Sequence, residues 1–150
     1  MHLVSGNPQL LPHSLPMANE RSPIPELRIM QRMRLEAQQL DGVTRRMQLR
    51  EEHCILVALP CGQDRNHIMD QSNILNSAFI NYLQQKQAAG IVHVAPVGST
   101  STQPAYIVHV FPPCDFAQQA LMSTACDFFQ SILDRQTAFL FVVVTTAQQT

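Results

Sequence analysis

The sequence predicts a mixed α+β domain, with a core sheet accompanied by three principal helices. Three observations lead there. Short runs rich in β-branched residues recur at Cys54 to Leu59, Tyr106 to Phe111 and Thr137 to Thr146. Stretches with apolar residues at helical spacing fill Asn66 to Ala89 and Phe116 to Leu133. The 150 residues are 45% hydrophobic and only 14% charged, enough for one domain with a single sizeable core.

Taken in order, Met1-His2-Leu3-Val4 reads as a strand that begins abruptly, which suggests a truncated start. Ser5 to Pro25 is dense in proline and holds Gly6 and Asn7, the composition of a connecting loop. From Glu26 to Met47 two readings compete. Ile29, Met33, Ala37, Leu40, Val43 and Met47 make a helical stripe, yet Leu27 to Leu35 also alternates, with Arg28, Met30, Arg32 and Arg34 on one side. Our reading is a strand to Leu35 and a helix from Glu36 to Met47. Cys54 to Leu59 is a buried strand closed by Pro60-Cys61-Gly62. The helix over Asn66 to Ala89 places Ile68, Leu75, Phe79 and Leu83 on its apolar face and ends at Gly90. Ile91 to Val94 is a short strand, and Pro96 to Pro104 a Gly/Ser/Thr-rich connection.

Composition narrows the function. A net charge of -1 lacks the basic excess of domains that grip nucleic-acid backbone. The longest apolar run, Ala138 to Val144, is too short to span a bilayer. Cys54, Cys61, Cys114 and Cys126 form no C-x-x-C pair, so they read as reduced thiols of an intracellular protein. Walker-type loops, G-x-G-x-x-G and H-E-x-x-H are absent, so no cofactor is expected.

One enzyme reading remains open: Cys61 as the nucleophile of a hydrolase, with His67 as its base. A small thiol packed at a strand end explains Cys61 equally well. His93 and His109 lie on strands that can pair, so a two-His metal site is conceivable, without a third ligand.

The cations are more informative. Arg32 and Arg34 are two residues apart, so on a strand both project from one face about 7 Å apart, suiting one phosphate or neighbouring carboxylates. A solvated strand face is the competing reading. Lys86, the only lysine, stands one helical turn beyond Tyr82 on the long helix's apolar face. There it snorkels past the core edge or meets an anion.

Four segments together resemble the SPOC domain of Spen (split ends) proteins, nearest to the large Spen corepressors. They are Leu27 to Ala37 (LRIMQRMRLEA), Leu56 to Gly62 (LVALPCG), Tyr82 to Gly90 (YLQQKQAAG) and Ile107 to Cys114 (IVHVFPPC). The resemblance implies a distorted β-barrel of about seven strands framed by helices, here without its first strand and helix and the basic residue they supply. It implies a nuclear protein-interaction module rather than an enzyme. Its expected partners are the phosphoserine-containing acidic C-terminal peptides of SMRT and NCoR corepressors, with the phosphorylated tail of RNA polymerase II, read by related SPOC domains, as a further candidate. Arg32, Arg34, Tyr82 and Lys86 match the family's phosphate-gripping positions. A second reading is an RNA-associated regulatory domain, since full Spen proteins carry RNA-recognition domains outside this chain.

Overall fold

The β-branched C-terminal run forms the centre of the sheet. The computed structural model describes residues 2–10, 29, 31–60, 63–94 and 106–146. Its strands are β1 (His2–Gly6), β2 (Gln31–Arg34), β3 (His53–Ala58), β4 (Ala88–Val94), β5 (Tyr106–Phe111) and β6 (Leu140–Thr146). They pair antiparallel throughout in the order β1-β3-β6-β5-β4-β2.

Because both faces of this sheet are covered, its strands read as nearly continuous apolar runs. Phe141 and Val143 of β6 face a cluster shared with Val43, Ala117, Leu121, Phe129 and Ile132 of the helices. Val142 and Val144 face a second cluster with Cys54, Leu56, Val92, Val94, Val108 and Val110. Among the described residues that second cluster is built from strand side chains and from Leu10 of a 3₁₀ turn. The α+β class agrees with the sequence reading. Among the described residues the strands number six.

The helices are α1 (Ala37–Met47), α2 (Arg65–Ile74), α3 (Asn81–Lys86), α4 (Asp115–Thr124) and α5 (Cys126–Asp134). The division between strand and helix around Glu36 is found, with Glu36 in extended backbone just before α1. Residues 27, 28 and 30 lie outside the described residues, as do Cys61, Gly62, most of the expected proline-rich loop and the 96–104 connection.

Two expected helices are corrected. The stretch Asn66 to Ala89 is α2, a π-helical turn over Leu75–Ile80, and α3. Asn81 N–H donates to Asn76 C=O, five residues back, so the turn holds an extra residue and rotates α2 relative to α3. The single apolar face therefore breaks up. Leu83 and Ile80 are buried, whereas Ile68 and Phe79 are exposed and no residue of α2 is buried. Chain reversal comes at Gln87, whose backbone is left-handed (φ 47°), not at Gly90. Strand β4 thus begins at Ala88, three residues earlier than expected. Gly90 lies inside it, where an added Cβ would meet Ile29 Cδ1 at 2.6 Å.

The stretch Phe116 to Leu133 is broken at Ala125 (φ -150°, ψ 61°). Just before the break, the Ser123 and Thr124 hydroxyls both donate to Ala120 C=O, the local competition that weakens a helix. Smaller differences sit at strand ends. β1 runs on to Gly6 through a bulge between Leu3 and Ser5, and β6 starts at Leu140 rather than Thr137.

Candidate functional site

Strand β2 lies at one edge of the described sheet, beside β4. Met33 turns inward to pack against the core, which leaves Arg32 and Arg34 facing solvent. Register sets Arg32 opposite Gly90 and Arg34 opposite Ala88. Since α3 feeds β4 through Gln87 alone, the end of the helix comes to lie next to β2. Leu35 N–H donates to Gln87 C=O at 2.9 Å and ties this junction.

The four residues singled out from the sequence meet here. The Arg32 guanidinium carbon stands 5.6 Å from the centroid of the Tyr82 ring, a cation–π arrangement. Arg32, Arg34 and Lys86 line one groove of about 590 Å³ together with Gln31 and Ala88. A neighbouring groove of about 410 Å³ shares Gln31 and Arg32 and is otherwise apolar, walled by Ile29, Ala78, Phe79, Tyr82 and Leu83. On the other side of Arg34 and Lys86 is a smaller notch of about 290 Å³ with Leu35, Glu36 and Gln87.

Among the described residues, no buried acid pairs with these cations. Arg34 Nη1 has Glu36 Oε1 3.6 Å away, both side chains well exposed at 82% and 57%. A pair so long and so wet contributes little, and the guanidinium remains available. The surface as built can receive an anion in the cationic groove and an apolar side chain in the adjoining one.

Three residues of this site were missed or misread in the sequence. Phe79 belongs to the apolar groove, not the core, because of the π-helical turn. Glu36 was treated as a helix start and not as a neighbour of Arg34, although the two-residue spacing carried that signal. Ile29 was read as a core position, and its role beside Gly90 was not visible.

Elsewhere the alternatives lose ground or cannot be located. Cys61 lies outside the described residues. Its suggested base, His67, is part of a helix start, where its N–H donates to the Asp64 cap at 2.8 Å and its Nδ1 accepts from Gln63 N–H at 3.2 Å. Burial pushes the Cys54 thiol up to about 11, and burial also raises Cys114, so neither is an activated thiolate. His93 and His109 do lie on paired strands. His93 is exposed and His109 is buried and stacked on Phe111, and no group of three or more potential metal ligands exists among the described residues. No described helix is long and apolar enough to cross a membrane.

An antiparallel sheet flanked by helices, presenting an open cationic groove beside an apolar one, has the surface of a binding module. The chain belongs to the SPOC domain family, whose model matches residues 1–147. It is 46% identical to human Msx2-interacting protein over 145 residues and 48% identical to Drosophila melanogaster protein split ends over 146, in each case 97% of this chain. It is 33% identical to human RNA-binding protein 15 over 135 residues, 83% of this chain. The chain spans only 4%, 2% and 14% of those proteins respectively. Membership makes it a protein-interaction domain of the Spen type.

Proposed function

We propose that this domain binds short acidic peptides carrying a phosphoserine. The carrying observation is that two guanidiniums and an ammonium, delivered by β2 and α3, line one groove, and that Arg32 also borders the adjoining groove, where it lies over the Tyr82 ring. A phosphate dianion offers three acceptor oxygens, and charge-assisted bonds of this kind contribute on the order of 1.5–3 kcal/mol each. The arginine forks supply geometry and the lysine a point charge. An apolar residue beside the phosphoserine fits against Phe79 and Tyr82 in the second groove.

The partners we propose, in keeping with the Spen resemblance, are SMRT- and NCoR-type corepressor tails, with the phosphorylated tail of RNA polymerase II as a further candidate. A role in transcriptional repression and a nuclear location follow from those partners and are proposed with them.

The test is a fluorescence titration with one acidic peptide made in phosphorylated and unphosphorylated forms. We expect the phosphoserine form to bind at least about tenfold more tightly, the value of one lost charge-assisted bond. Equal affinities would overturn the reading. Tighter binding to random RNA than to either peptide, with a steep salt slope, would favour the RNA-associated alternative instead.

A further inference from the structure

Three cations line the groove, and only one of them has a charge that group transfer to a primary amine can remove. Arg32 and Arg34 end in guanidiniums rather than primary amines. Lys86 is the only lysine in the 150 residues. It lies in the last turn of α3, is exposed, and lines both the cationic groove and the notch beside it. Of its two companions, Arg32 lies over the Tyr82 ring and Arg34 has the exposed Glu36 carboxylate 3.6 Å away. Among the described residues no ion pair involves Lys86. Its sequence neighbours Gln84, Gln85, Gln87 and Ala88 are uncharged, and the one carboxylate lining the notch with it, Glu36, is the exposed group that stands 3.6 Å from Arg34.

We propose that Lys86 is an acyl-acceptor site and that its acetylation switches the groove off; this rests on the phosphopeptide reading above. The donor is an acyl thioester. The ammonium first yields one proton to solvent; the free amine attacks the thioester carbonyl, the C–N bond forms as the C–S bond breaks, and the thiol leaves with the second proton the nitrogen gives up. The product is a neutral amide, so the groove loses one of its three positive charges and the ammonium donors that go with it. The added acetyl group also occupies space at the mouth shared by the groove and the notch. Because these 150 residues hold no second lysine, lysine-directed acylation within them falls on the binding surface.

The experiment treats the protein with an S-acetyl thioester, locates the adduct by mass spectrometry, and titrates the product with a labelled phosphoserine peptide. We expect an adduct on Lys86, an unchanged melting temperature and a Kd raised about tenfold or more. Lys86→Arg, whatever its own affinity, should bind identically before and after treatment. The inference is overturned if Lys86 stays unmodified while the N-terminal amine reacts. It is equally overturned if the Lys86-acetylated protein keeps its affinity, or loses it only together with its fold. Failure of the untreated protein to prefer phosphoserine peptide would instead remove the function on which the switch rests.

Discussion

Arg32 and Tyr82 lie fifty residues apart on a strand and a helix, yet the guanidinium of one sits over the ring of the other at 5.6 Å. The helix carrying Tyr82 runs directly into the strand that pairs with Arg32, so the contact follows from the β2–β4 register. The ring holds the guanidinium at the boundary between the cationic and apolar grooves, which reduces the side-chain entropy lost on binding.

Removing that brace should be felt in binding more than in stability. Tyr82 is 45% exposed, so Tyr82→Ala leaves little cavity and should change stability by under about 1 kcal/mol. Phosphopeptide affinity should fall about three- to tenfold, and Tyr82→Phe should recover most of it, since the ring face does the bracing. Calorimetric titration of the two variants checks this.

Gly90→Ala tests the junction from beneath. The new methyl would run into three atoms of the Ile29 side chain at 2.6–2.9 Å, directly across from Arg32 in the register. Overpacking of this kind costs about 1–3 kcal/mol. Urea denaturation should show that loss, with weakened peptide binding because β2 is displaced. Unchanged stability would mean that Ile29 moves aside freely.

His109 predicts a particular acid sensitivity. Burial, assisted by the charges of Arg46 and His93 and opposed by a bond to Val143 C=O, lowers it from 6.5 to about 4. Folding thus favours the neutral ring, and the unfolded chain takes up the proton first on acidification. The contribution is complete above about pH 6.5 and is lost as pH falls to about 4, a change of about 3 kcal/mol. Unfolding free energies of the parent and His109→Phe, measured across that window, should show the acid slope flattened in the variant.

The thiols should separate by position. Cys54 is fully buried and raised to about 11, whereas Cys126 is exposed. Alkylation near neutral pH, followed by peptide mapping, should label Cys126 readily and Cys54 only after denaturation. Rapid labelling of native Cys54 would contradict the burial of β3.

The strands were legible because their side chains announce their environment. A run such as Val142-Val143-Val144 is apolar at consecutive positions only when both faces of a strand are covered, and both are. Arg32 and Arg34 were legible for the same reason, since period-two spacing fixes their common face. The π-helical turn was not. It depends on a backbone choice that no residue between Leu75 and Ile80 demands, and it moved Phe79 from the expected core to the groove. The Gln87 reversal was hidden by Gly90, a more usual left-handed residue that the fold uses instead for close packing against Ile29. The helix break at Ala125 had a local cue in Ser123-Thr124, outweighed in the sequence by the apolar period on either side.

The most direct measurement is the affinity of the Arg32→Ala, Lys86→Ala double variant for a phosphoserine peptide, taken beside its melting curve. Both side chains are exposed, so the fold should be retained. With two of three cations gone, binding should weaken at least about 100-fold and the preference for phosphate should largely disappear. A correctly folded double variant that binds the phosphopeptide as tightly as its parent would contradict the account.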